Sequence, residues 1–166
     1  MNPPLAAFPA LRTSRLAIHS LAPGDAAALQ GVTDDPAITG AVDFLPAPFT
    51  LADAGGLIAG QDADNAFLGL WSDGALVGVV GIHARAAGEI EIGYWIGSAW
   101  QRRGYAAEGA GAVIAQLRHL YRAHRIVAEC RPANHASWNL LQHLGFCATD
   151  QQGKRPGRKL LALPDG

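Results

Sequence analysis

Three groups of residues in this chain have types and spacings that suit chemistry. The first is Gln101-Arg102-Arg103-Gly104-Tyr105-Ala106, a basic loop between the apolar run Glu89 to Ile96 and a segment of helical period that reaches Arg122. Such a loop collects several backbone N–H groups and the positive end of a helix dipole at one point, and Gly104 lets the main chain come close to whatever binds there. A phosphorylated ligand is the expected guest. The second group is Glu91 and Glu129, each set among apolar residues on an expected strand. A carboxylate in that setting needs a partner or solvent in a cleft, so each is either a candidate base or half of an ion pair with an arginine such as Arg131 or Arg85. The third is Asn134 and Ser137 at the start of a short expected helix, where Asn134 suits the cap and Ser137 is able to bond a free backbone N–H.

The elements that must position these groups follow from period and turn chemistry. A strand over Leu16 to Ser20 precedes a helix that starts near Pro23-Gly24-Asp25, and a loop with Asp34-Asp35-Pro36 comes next. Thr50 suits the N-cap of a second helix running to about Asp62. Phe67 to Trp71 and Leu76 to His83 are apolar strands joined by Ser72-Asp73-Gly74, strong hairpin chemistry, and a turn at Ala86-Ala87-Gly88 leads into Glu89 to Ile96. The three strands make an antiparallel meander. From Gly104 the apolar residues Ala106, Ala110, Val113, Ile114, Leu117 and Leu120 recur at three and four and form one helical stripe. Ile126 to Arg131 is then a strand, Asn134 to Leu144 a helix stopped by Gly145, and Phe146 to Thr149 and Arg158 to Leu163 two last strands. A strand, helix, strand unit in the middle calls for a parallel pair with a right-handed crossover. The fold class is α+β, a mixed sheet with helices on its faces.

Composition limits the function classes. The 166 residues are 49% hydrophobic and 16% charged, which suits one domain burying about two thirds of its unfolded surface. A formal net charge of −1 argues against nucleic acid or a membrane surface as partner. No apolar run approaches the roughly 20 residues that span a bilayer, and the start has no basic region followed by a long apolar one, so a cytoplasmic protein is expected. Cys130 and Cys147 stand apart without ligand spacing and are expected as buried free thiols. No metal site is indicated. His83 reads as a surface or packed imidazole rather than a base, and Gly153 to Lys159 as a solvated basic hairpin tip.

These residues resemble those of the GNAT N-acetyltransferases. Gln101 to Ala106 matches the Q/R-x-x-G-x-G/A loop that holds acetyl-coenzyme A in that family, and Asn134-x-x-Ser137 followed by Leu144-Gly145-Phe146 matches its second motif. Thr13-Ser14-Arg15-Leu16 through Asp34-Asp35-Pro36 is similar to the subgroup that includes ribosomal-protein-alanine N-acetyltransferases, so the resemblance covers nearly all of a single domain, 1–166. It implies an acetyl-coenzyme A-dependent transferase that moves acetyl to a primary amine, on a protein N-terminus or a small molecule, by direct attack on the thioester. A homodimer is common in the family.

The resemblance also implies residue roles. The central strand splays from its parallel neighbour, the pantetheine chain inserts between them, and Tyr94, Trp95 and Ile96 lie against the thioester. Gln101, Arg102, Arg103, Gly104, Tyr105 and Ala106 hold the pyrophosphate, and Asn134 the pantetheine. Ser137 is the candidate for protonating the leaving thiolate, because this subgroup resembles enzymes that place a serine at that point of the motif. Many other members of the superfamily use a tyrosine where this chain has Leu141. Glu129 matches a glutamate of some protein N-terminal acetyltransferases, and Glu91 sits in the subgroup's Glu-Ile-Gly-Tyr run. The alternatives are a non-catalytic acyl-coenzyme A binding or sensing module and an antibiotic or polyamine acetyltransferase.

Overall fold

In a computed structural model that describes residues 2–86 and 88–165, eight strands form one sheet in the order β1-β2-β3-β4-β5-β6-β8-β7. The strands are β1 Leu11–Arg12, β2 Ala17–Ser20, β3 Asn65–Ser72, β4 Ala75–Arg85, β5 Glu89–Ile96, β6 Arg125–Cys130, β7 Cys147–Gln152 and β8 Lys159–Ala162. The helices are α1 Ala26–Thr33, α2 Pro36–Thr39, α3 Leu51–Ala59, α4 Tyr105–Leu120 and α5 His135–His143.

Local chemistry explains most boundaries. Asp73 and Gly74 both take positive φ, 50° and 79°, the two-residue hairpin geometry that matches strand twist, and β3 and β4 pair from Asn65 and His83 to Ser72 and Ala75. Thr50 and Asp53 form a reciprocal capping box that starts α3, which Gly60 ends three residues before the expected limit at about Asp62. Asp35 accepts the Ala37 N–H and caps α2, a single turn where a loop was expected, because Pro36 sits pre-set at its first position. β1 is also unanticipated, since two residues carry no period. Of the turn expected at Ala86-Ala87-Gly88, Ala87 lies outside the described residues.

Alternation along β5 divides the molecule. Ile90, Ile92 and Ile96 join the core under α4, with Val113, Ile114 and Leu117 and with Leu141 of α5, whereas Trp95 joins the core under α1 and α3, with Leu29, Ala54 and Ile58. Each buried aliphatic side chain contributes roughly 1.5–3 kcal/mol to holding its helix on the sheet. Leu141 is therefore packed in the core, and no phenol projects from that turn of α5.

The parallel pairing of β5 with β6 covers only Glu89 with Arg125, Ile90 with Ile126 and Glu91 with Val127. Beyond it the strands part; on its other edge β6 pairs with β8, which lies between β6 and β7. Cys130 is buried as expected, but Cys147 is exposed, because β7 is an edge strand with most of its side chains in solvent. No helix among the described residues is long and apolar enough to cross a membrane.

Candidate active site

A cleft of about 800 Å³ opens where β5 and β6 part. It takes in Glu91, Tyr94, Trp95, Ile96, Gln101, Arg102, Gly104, Tyr105, Ala106, Glu129, Asn134 and Ser137. Arg103 is the exception among the expected residues: it does not line the cleft, and its carbonyl oxygen accepts from Arg15 Nη1 at 2.8 Å.

On the α4 side, Gly104 holds φ 81° at the N-cap, and Arg102 also takes a positive φ, 63°. Among the described residues no side chain caps α4. The first N–H groups of any helix lack partners within it, so those of Tyr105, Ala106 and Ala107, all residues of the cleft, face a place that suits an oxyanion. Glu108, the acid in the first turn of α4, accepts from Thr13 and, at 2.7 Å, from Arg15 Nε. Burial pushes the Glu108 carboxyl up, but the bonds from Thr13 and Arg15 outweigh it and hold the group below the usual carboxylate range. The Arg15 guanidinium also stacks on the Tyr105 ring, 4.4 Å from its centroid. Thr13 and Arg15 thus fix the loop, a role reached across 93 residues that spacing alone did not reveal.

Across the gap, Asn134 Oδ1 accepts from the Ser137 N–H at 3.3 Å and caps α5. Gly145, with φ 100°, ends that helix, and Phe146 donates its N–H to the Leu141 carbonyl and enters the core. The Ser137 hydroxyl lies 3.0 Å from the Tyr94 hydroxyl. Burial raises the Tyr94 phenol to about 12, so it stays protonated at any ordinary pH. Beyond the place beside the thioester that the resemblance implies, Tyr94 therefore has a side-chain partner on α5.

On the α1 and α3 side, charges are paired. Glu129 accepts from the backbone N–H groups of Lys154 and Arg155 at 2.9 and 3.2 Å, from Arg155 Nε at 3.2 Å and from Arg85 Nη1 at 3.2 Å. Burial pushes its carboxyl up, but the two backbone donors and Arg155 prevail and hold it below the usual range. Glu91 pairs with Arg155, yet burial dominates and raises its carboxyl above the usual range. Asp43, in the loop between α2 and α3, binds Arg131 at 3.1 Å and Arg158 at 2.9 Å. The Gly153 to Lys159 hairpin is therefore not a solvated tip. Its arginines fold back onto Glu129, Glu91 and Asp43, because three carboxylates wait there and no local pattern in the hairpin announces them.

Aromatic rings line the same side. Phe44 packs on Phe67 and Trp95 with centroids 6.0 Å away from each, while remaining 48% exposed at the rim. His83 stands edge-on to Phe67 at 5.1 Å. Among the described residues no cluster of three or more His, Cys, Asp or Glu is placed to hold a metal.

Comparison with known proteins gives a consistent picture. The model of the acetyltransferase (GNAT) domain family matches residues 15–147. The uncharacterized N-acetyltransferase YnaD of Bacillus subtilis (strain 168) is 28% identical over 142 residues, 82% of this chain and 81% of that protein. The ribosomal protein uS5-alanine N-acetyltransferase of Escherichia coli (strain K12) is 40% identical over 55 residues, 33% of this chain and 28% of its own. In fold, the chain is similar to RimL, the ribosomal L7/L12 alpha-N-protein acetyltransferase solved with coenzyme A. The TM-score is 0.81 at 16% identity, over 93% of this chain and 97% of that one.

Proposed function

The chain belongs to the GNAT acetyltransferase family, and from that premise we propose that residues 1–166 work as one unit that takes acetyl-coenzyme A into this cleft and passes its acetyl group to a primary amine. The amine belongs to a protein N-terminus or a small molecule. The observation that carries the reading is the uncapped start of α4, with Gly104 in the left-handed region, at one end of a gap bounded by β5, β6 and α5. A pyrophosphate fits that place on chemical grounds: several free N–H donors, a helix dipole and the neighbouring Arg102 converge there, while the one nearby acid is already occupied by Thr13 and Arg15.

Each residue then has a task. Gln101, whose side-chain amide donates to the Ile96 carbonyl at 2.9 Å, braces the loop against the end of β5, and Tyr105 and Ala106 offer their N–H groups. Arg103 raises the local potential without entering the cleft. Past Glu91, the backbone groups of β5 that point away from β4 have lost their β6 partners, so the segment through Tyr94, Trp95 and Ile96 has donors for a thioester oxygen on which negative charge develops. Asn134 meets the pantetheine amides. Ser137 donates its proton to the departing sulfur, and Tyr94 positions it: a serine hydroxyl has one proton, and accepting from the Tyr94 phenol leaves that proton free to point at the thiolate. Glu129 anchors the 153–158 loop and is a poor base, since four donors engage it. Glu91, with its raised carboxyl, is the better basic group of the two.

Calorimetric titration of coenzyme A against the parent chain and Gly104→Glu tests the assignment. The variant places an anion and a strained backbone where the pyrophosphate would lie, and it is expected to give no binding heat while melting as a folded protein. Equal affinity for both would sink the reading.

A further inference from the structure

His83 is on β4, directly opposite Asn65 of β3 and Glu91 of β5, on the face of the sheet that carries Gly81, Gly93 and Trp95. Its Nδ1 lies 2.9 Å from Asn65 Oδ1. The orientation of that amide is fixed from behind, because Asn65 Nδ2 donates to Asp62 Oδ1 at 3.2 Å, and the same carboxylate is held by the Asp64 N–H at 2.9 Å. An amide that spends its NH2 on a carboxylate presents only its carbonyl oxygen to the imidazole, so Nδ1 must carry the proton and Nε2 must be the bare nitrogen.

Nε2 has no hydrogen-bond partner among the described residues, and it leans over Gly81 so closely that a Cβ there would come within 2.8 Å of it. Gly81 and Gly93 face each other across β4 and β5 and leave a floor without side chains, and a Cβ on Gly93 would meet nothing within 4 Å. The two carboxylates of the cleft are ion-paired, Glu129 with four donors and Glu91 with Arg155. The charged groups that face the ring are Glu91 from β5, Arg155 from the loop before β8 and Arg85 on β4, with Asp62 behind Asn65. Burial, and then Arg155, push the imidazole below its ordinary value, so it is neutral at neutral pH.

We propose that Nε2 of His83 is the atom that receives the proton of the acceptor amine, in a catalytic relay Asp62–Asn65–His83 in which Asn65 and Asp62 are positioning residues. The proposal rests on reading the cleft as the transferase site. The step balances: the amine nitrogen forms a bond to the acetyl carbon, the carbon–sulfur bond breaks, one amine proton passes to His83 Nε2 and from there to solvent, and the thiolate takes a proton through Ser137 as Ser137 takes one from solvent water. The relay also defines the acceptor class. With each carboxylate of the cleft already paired, no free anion draws an ammonium, so the substrate is a primary amine that enters as the free base along Phe44 and Phe67, not a polycation.

Two measurements test this. The first uses kcat/KM at one pH to rank an alanine-initiated peptide, 2-phenylethylamine and spermidine as acceptors of acetyl from acetyl-coenzyme A. It also follows the pH dependence of kcat at saturating acceptor, from which the amine's own ionisation drops out. The parent should favour one of the first two and show an acid limb; His83→Gln should lose that limb and about 10²-fold in kcat, with unchanged coenzyme A binding by calorimetry. A limb that persists in His83→Gln, or spermidine as the preferred acceptor, overturns the proposal. The second needs no turnover: 15N spectra of the labelled side chain should show Nδ1 protonated and Nε2 bare in the parent, and a mixed tautomer in Asn65→Leu. A protonated Nε2 in the parent overturns it. Because coenzyme A binding is read separately, failure of the cofactor assignment is distinguishable from failure of the relay.

Discussion

The two sides of the cleft are built in opposite ways. On the α4 side the chain withholds side chains: Gly104 and an uncapped helix start leave backbone donors free, and the nearest acid is tied up by Thr13 and Arg15. On the α1 and α3 side the chain crowds ions together and satisfies them internally, with Glu129 carrying four donors and Asp43 joining two arginines. The first side, on the function proposed above, is completed by a charged ligand. The second is already complete, and it leaves one imidazole nitrogen and a rim of aromatic rings for a guest that brings little charge. A cofactor shared by a whole family suits the first construction, and an acceptor peculiar to one enzyme suits the second.

The contrast breaks most visibly at Glu129. Replacing it with Ala strands two guanidinium groups against a buried site and should lower stability by on the order of 3 kcal/mol in urea unfolding. Its carboxyl is depressed only in the folded chain, so the stabilisation is full above the ordinary carboxylate range and is lost as pH falls through the depressed value. Glu129→Gln should therefore flatten the acid side of the stability profile. Glu91 works the other way, because its raised carboxyl means that folding disfavours the charge. Glu91→Gln should change stability at neutral pH by less than about 1 kcal/mol. Equal losses at both positions would mean that the side is not internally satisfied.

On the α4 side the expected effects are kinetic. Ser137→Ala should lower kcat about 10²-fold with little change in KM for acetyl-coenzyme A, as loss of a proton donor does. Tyr94→Phe should lower kcat about fivefold, the worth of one hydrogen bond, again with KM unchanged. A rise in KM alone would make Tyr94 a wall of the cleft and nothing more. The smallest effect is back on the α1 and α3 side, at Phe44→Ala. That ring is 48% exposed, so its loss should leave the melting temperature unchanged while raising KM for the acceptor severalfold, and no change in acceptor KM would remove it from the binding rim.

Legibility in the sequence follows the same division. The loop at Gln101 to Ala106, the cap at Asn134 and the stop at Gly145 are local devices, each written within about ten consecutive residues, and they could be read as such. So could the Ser72-Asp73-Gly74 hairpin and the stripe of α4. The ion pairs could not, since Asp43 and Arg158 are 115 residues apart and Glu91 and Arg155 are 64 apart. No spacing rule connects such partners. His83 was set aside for the same reason: its tautomer is decided by Asn65 on another strand and by Asp62 behind it. Cys147 was misplaced because edge position is a property of the sheet, not of the residues beside it.

The place of β8 between β6 and β7 has a consequence for how the protein comes into being. β8 follows β7 in the chain yet must enter between β6 and β7, and the loop before it brings Arg155 and Arg158 to carboxylates laid down well before. A chain made only as far as β7 would carry the whole Gln101 to Ala106 loop and still have Glu91, Glu129 and Asp43 without those partners. The charge pairing of the α1 and α3 side thus depends on the closing of the β7–β8 hairpin, whereas the cofactor loop does not.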